Sequence, residues 1–136
     1  MPRPTDRIII DTNLWISYLL TRNAKLDRLL RDKIVTLLFS QELIMEFIEV
    51  ARRPKFRKYF SSSDLDSLLV SISTKAIFIE VFTSIDISPD SKDNFLLALA
   101  KDGKATHLIT GDKALLSLKK FGKTKIVTIA DYLSTK

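Results

Sequence analysis

Four carboxylates stand apart from the general charged surface of this chain: Asp11, Glu46, Asp93 and Asp112. Asp11 ends the apolar run "RIII", Asp112 follows "HLITG", Asp93 closes "SPDSKD", and Glu46 lies within "QELIMEFIEVARR". Each adjoins apolar sequence, where an unpaired carboxylate is costly to desolvate. Each also has an ordinary structural explanation: an aspartate before a helix can cap it, and a glutamate bordering an apolar face can reach back to water. The chain has no cysteine and one histidine, His107. Thiolate chemistry and multi-histidine zinc sites are therefore excluded, and a Ser-His-Asp triad has little support. A set of acids without nitrogen or sulfur partners is hard-ligand chemistry of the kind that suits Mg²⁺ or Mn²⁺. With a phosphodiester bound, such a cation can lower the pKa of a water, align it for in-line attack and stabilise the leaving oxygen.

The elements that would position these acids alternate between strand and helix. The β-branched "RIIID" (7–11) reads as a strand and "NLWISYLL" (13–20) as a helix. A second helix covers 24–33, with Leu26, Leu29 and Leu30 on one face, and "IVTLLF" (34–39) is a buried strand. Ser40 caps the helix "QELIMEFIEVARR", which Pro54 closes. A further helix follows over 61–76, then a β-rich stretch, "IFIEVF" (77–82), and a turn at "SPDSKD" (88–93). The very apolar "NFLLALAKDG" is a helix that Gly103 can end. "HLIT" is a strand, "GDKALLSLKKFG" (111–122) a turn and helix, "KIVTI" the last strand, and "ADYLST" a final helical turn. Apolar strands separated by helices imply a parallel sheet covered on both faces.

Such sheets bind ligands in the crevice beyond the carboxyl ends of their strands. Asp11 and Asp112 both follow strands, so both fall at that edge. On the helix after Ser40, Leu43, Phe47, Ala51, Ile44 and Ile48 form an apolar arc at about 100° per residue, with Val50 at one margin. Glu46 lies only about 40° beyond Val50, nearer the core than Glu42 or Glu49. Asp93 opens a helix that is apolar nearly all round and is thereby held close to the core, at a helix start that favours an anion. Asp90 is the more solvent-facing member of the Asp90/Asp93 pair.

The charge balance, 22 Lys+Arg against 16 Asp+Glu, gives a net +6. A surplus of this size suits a polyanion, because each neutralised phosphate releases counterions. The basic residues gather in "RRPKFRKY" (52–59) and "KKFGKTK" (119–125). Arg52, Arg53, Lys55 and Lys113 are the candidate RNA contacts, although a solvated helix end explains the first cluster equally well. Trp15 reads as core or dimer surface, and His107 as a structural residue at a strand start. The length of 136 residues implies one domain, over 1–136. The pattern of a signal peptide is absent and no apolar run approaches the ~18 residues of a membrane span, so a cytoplasmic protein is expected.

Taken together, "IIIDTNLWIS", "SQELIMEFIEVARRPKF", "SPDSKDNFLLALA" and "THLITGDKALL" resemble the PIN domain family, in order and spacing, over essentially the whole chain. The resemblance implies a three-layer α/β/α sandwich with a central parallel sheet and a metal-dependent endoribonuclease, often the toxin of a bacterial toxin–antitoxin pair. Carried over by position, Asp11, Glu46, Asp93 and Asp112 are its catalytic, metal-binding acids. Asn13 matches the "DTN" signature and orients Asp11 or a water, Thr110 supports the acids from behind, and Asp90 matches an acid that some members carry. The resemblance also implies a homodimer and an inhibitory antitoxin that enters the active-site groove. A nuclease of RNA processing or of DNA, and a non-catalytic interaction module on the same fold, are the alternatives. A receiver-like signalling domain fits poorly: its paired acids after the first strand and its late Lys-Pro are missing.

Overall fold

In the computed structural model, which describes residues 5–22, 24–31 and 35–134, strands and helices alternate along the chain. The elements are β1 (Asp6–Ile10), α1 (Thr12–Thr21), α2 (Ala24–Arg31), β2 (Val35–Phe39), α3 (Gln41–Ala51), α4 (Ser62–Ser73), β3 (Ala76–Phe78), α5 (Ser91–Asp102), β4 (His107–Ile109), α6 (Lys113–Ser117), β5 (Lys120–Phe121), β6 (Thr124–Val127) and α7 (Ile129–Ser134). The expected end of the helix over 24–33, the first residue of the strand over 34–39, the N-terminal "MPRP" and the end of "ADYLST" lie outside the described residues.

The sheet order is β3-β2-β1-β4-β6-β5. From β1 the chain steps outward to β2 and β3, then returns to β4 on the other side of β1 and continues to β6. The order therefore reverses between β1 and β4, which is where a doubly wound sheet opens a crevice. Right-handed crossovers put the helices of the two directions on opposite faces. Packing agrees with this: Phe39 of β2 meets Trp15 of α1 with ring centroids 5.9 Å apart, whereas the alternate residue Leu38 faces Gly103 at the end of α5. The result is a three-layer α/β/α sandwich. Its central strands are buried on both faces, with Ile8, Ile9, Leu108 and Ile109 fully enclosed.

Two expectations change. Residues 119–122, read as the end of a helix, instead turn into an antiparallel edge strand, β5, paired Phe121↔Thr124 with β6. The turn is possible because Lys119 and Gly122 take left-handed φ of 64° and 58°. Gly122 opens the two-residue loop, where the mirror-image hairpin turns require positive φ. The sheet is thus parallel except at this edge. The β-rich stretch 77–82 also contributes less strand than its composition implies, since β3 ends at Phe78.

Candidate active site at the carboxyl ends of β1 and β4

Parallel pairing of β1 and β4 in the register Ile8↔His107, Ile9↔Leu108 and Ile10↔Ile109 brings the next residues, Asp11 and Thr110, to the same height. The Asp11 N–H donates to the Ile109 carbonyl at 3.0 Å, and the Thr110 N–H donates to Val127 of β6 at 3.0 Å. Both residues are thereby fixed to the sheet. The Thr110 hydroxyl donates to Asp11 Oδ2 at 2.8 Å and accepts from the Asp112 N–H at 3.0 Å. One hydroxyl holds an acid on each side of it.

Asp11 occupies the N-cap position of α1, yet its carboxylate makes no capping hydrogen bond. The Asn13 backbone N–H still acts on it, but its firm hydrogen-bond partner is the Thr110 hydroxyl. Asp112 does cap α6, accepting from the Ala114 N–H at 2.9 Å, and Asp90 caps α5 through the Lys92 N–H at 2.9 Å. With Asp90 exposed and serving as the cap, Asp93 at the first turn of α5 is left buried at 4% exposure. The Ser88 hydroxyl donates to Asp93 Oδ2 at 3.2 Å.

Glu46 reaches the same edge from α3. That helix begins at Ser40, whose hydroxyl accepts from the Leu43 N–H at 3.2 Å, and it buries Leu43, Phe47, Val50 and Ala51. Val50 is buried while Ile44 and Ile48 are only half-buried, so the buried arc is turned toward Glu46. The buried Thr12 donates to Glu46 Oε1 at 2.6 Å, and Lys92 Nζ stands 3.8 Å from Glu46 Oε2.

The electrostatics bind these acids into one group. Burial raises the Asp11 carboxyl above its ordinary value; the Thr110 hydroxyl and the Asn13 backbone N–H oppose this, and the charges of Glu46 and Asp112 push it further up. Asp93 is likewise raised, first by burial and then by the charge of Asp112, with Ser88 opposing and Asp90 and Asp11 adding to the rise. The donor set, oxygen throughout and held by hydroxyls, fits a hard divalent cation. Among the described residues, no three such side chains already form an ion-holding cage. Each of the four acids has one oxygen engaged by a hydroxyl or a backbone N–H.

The other expected residues are placed as follows. Asn13 is exposed, and its influence on Asp11 runs through its backbone. Lys113 is exposed directly beside Asp112. Arg52, Arg53 and Lys55 are exposed at and beyond the end of α3. Six residues of helix carry Arg52 about 9 Å along the axis from Glu46. Arg53 lies 3.8 Å from Glu49, and Lys55 lies over the Phe56 ring, 5.1 Å from its centroid. Trp15 is core, packed on Phe39 and Phe47, and His107 packs edge-on to Tyr132. Thr12, Ser88 and Lys92 were not anticipated. Only Thr12 carried a signal, as the middle residue of "DTN".

A model of the PIN domain matches residues 7–114. An uncharacterized protein of Methanocaldococcus jannaschii is 32% identical over 118 residues, which span 83% of this chain and 75% of that relative.

Proposed function

Since the chain belongs to the PIN domain family, whose members are generally metal-dependent nucleases, we propose that it is a Mg²⁺- or Mn²⁺-dependent endoribonuclease that cleaves single-stranded RNA. The observation that carries this reading is electrostatic: acids from separate segments lie close enough that Asp11 feels Glu46 and Asp112, and Asp93 feels Asp112 and Asp11. Asp112 also caps α6 and Glu46 has Lys92 beside it, but the burial cost of Asp11 and Asp93 next to further acids is one that a cation-dependent hydrolase requires.

Asp11, Glu46, Asp93 and Asp112 would hold the cation. Once bound, it would supply charge to activate water and to stabilise the leaving oxygen. The chain's own contribution is orientation. Thr110 fixes Asp11 Oδ2, Thr12 fixes Glu46 Oε1, and Ser88 fixes Asp93 Oδ2. Asn13, two residues after Asp11, would orient it or a water, and Asp90 caps the helix that carries Asp93. Lys113 and, more distantly, Arg52, Arg53 and Lys55 would attract the phosphate backbone. The same reading makes the protein the toxin of a toxin–antitoxin pair, a homodimer and cytoplasmic. No helix among the described residues is long and apolar enough to cross a membrane.

The test compares wild type with Asp11→Asn on single-stranded RNA and single-stranded DNA, with Mg²⁺, Mn²⁺ or EDTA. Cleavage of RNA by wild type alone, abolished by EDTA, is expected. Cleavage of DNA only would replace the RNA assignment. No cleavage of either, or equal cleavage by Asp11→Asn, would overturn the nuclease reading.

A further inference from the structure

Lys92 and Phe95 stand three residues apart on α5 and so share one of its faces. Lys92 reaches the acid group, 3.8 Å from Glu46 Oε2, with its side chain half exposed. Phe95 is 53% exposed, on a helix whose Leu96, Leu97 and Leu99 are all buried. An aromatic ring left in the open beside a cation needs an explanation beyond the core.

The surface around the ring supplies one. A narrow hollow between α3 and α5 contains Glu46, Lys92 and Phe95. A wider one, of about 260 Å³, continues past Phe95 to Val81 and Ile85. The two share Ser40, Glu42 and Phe95, so they adjoin along a groove that begins at Glu46 and passes Phe95. Its outer wall, the segment 79–88, is held firmly. Asp102 accepts from the Phe82 N–H at 2.7 Å, from the Thr83 N–H at 2.8 Å and from the Thr83 hydroxyl. Asn94 accepts from Ile87 and Ser88 backbone N–H groups at 3.2 and 3.0 Å and donates to the Ser88 carbonyl at 2.9 Å. The groove is therefore formed before anything binds, which lowers the ordering cost of binding.

We propose that Lys92 and Phe95 seat one nucleotide of a single strand next to the acid site, with Lys92 on a phosphate oxygen and the base stacked on Phe95. The assignment rests on the nuclease reading and names a subsite of it. The volume is below the roughly 300–1,000 Å³ of drug-sized ligand pockets, which suits one planar base rather than a whole cofactor. A base stacks on an aromatic ring whatever its identity, and the cation lies at the end of the groove where the phosphate must approach the acids. Lys92 lines only the hollow next to Glu46, which sets the backbone at that end and leaves the base beside Phe95.

Binding is read in the Asp11→Asn protein, so that cleavage does not interfere, by fluorescence anisotropy of labelled single-stranded RNA and DNA octamers over a range of salt. Phe95→Ala added to this background is expected to weaken binding roughly 5- to 150-fold, the loss of one stacked base. Phe95→Trp retains affinity, and its exposed indole is quenched as the strand binds, against a Trp15 that is fully buried. Lys92→Gln lowers the slope of log affinity against log salt by about 0.7, one single-strand phosphate contact. Unchanged affinity in Phe95→Ala, or an indole at 95 unmoved by saturating strand, overturns the subsite and leaves the groove to a protein partner. If wild type cleaves RNA or DNA while Phe95→Ala binds normally, the subsite alone fails. If wild type neither cleaves nor binds a single strand, the nuclease reading fails with it.

Discussion

The hydroxyl of Thr110 donates to Asp11 and accepts from the Asp112 backbone, so removing it loosens two acids at once without touching either. Thr110→Val keeps the shape and loses both bonds. Partners behind metal ligands typically contribute 10- to 100-fold in affinity, so a Mn²⁺ titration by calorimetry is expected to weaken by about tenfold or more, with Thr110→Ser close to wild type. The raised pKa values of Asp11 and Asp93 have their own consequence. A carboxyl raised by folding is most favourable to stability when protonated; that stability is present below the unfolded value and is lost as pH rises to the folded one. In EDTA at neutral pH, Asp11→Asn and Asp93→Asn should therefore melt a few degrees above wild type, with the gap closing toward acid pH. At limiting Mn²⁺, cleavage should fall on the acid side at a pH above the ordinary aspartate range, because protons compete with the cation for the two acids, and saturating Mn²⁺ should move that fall to lower pH.

Individual elements differ in how far their sequence declares them. The strand "RIIID" was legible as a continuous β-branched run, as a strand buried on both faces must be, and the helix after Ser40 by its 3.6 period and its Ser cap. Burial of Val50, and with it the inward turn of Glu46, follows from the helical period. β5 was not legible: "KKFG" is as helical as the segment before it until Lys119 turns left-handed, which only pairing with β6 stabilises. The exposure of Phe95 was hidden for a similar reason, since an apolar residue within an apolar helix signals core unless a groove is already known to lie beside it. Lys92 and Ser88 serve the site through contacts that no spacing encodes. Gly103 shows a different gap. It ends α5 as its position implies, but with an ordinary φ of −85°, so conformational freedom is not its purpose. A Cβ there would lie 2.9 Å from Leu38 Cδ1 and 2.9 Å from the Leu99 carbonyl. Gly103→Ala is expected to cost about 1–3 kcal/mol by overpacking, measured by urea unfolding.

At the scale of the whole molecule, the family match ends at residue 114, yet the chain beyond it completes the structure that the site needs. β6 receives the Thr110 N–H on Val127, and Tyr132 of α7 donates to Asp6 at the start of β1 at 2.7 Å. The net charge of +6 accompanies a group of acids, a combination that attracts a polyanion overall and leaves the acids for a counter-ion. That global sign was readable from composition alone. The meeting of the four acids required the topology, because the strand order that joins β1 to β4 is a property of the fold rather than of any segment.

The bond between Thr110 and Asp11 joins residues 99 apart in the chain, and this has a bearing on time. Bringing such distant segments together carries the entropic cost of a long loop, and parallel pairings of this kind form slowly. No partly folded species that lacks the β1–β4 pairing can present the complete acid group. On dilution from urea, the capacity to bind Mn²⁺ is expected to return only with the slowest step that restores tertiary structure, never with an earlier burst of helix. Stopped-flow circular dichroism followed in parallel with Mn²⁺-dependent quenching of a bound fluorophore would reveal any earlier return. On the proposed reading, activity is the last property that the folding chain acquires.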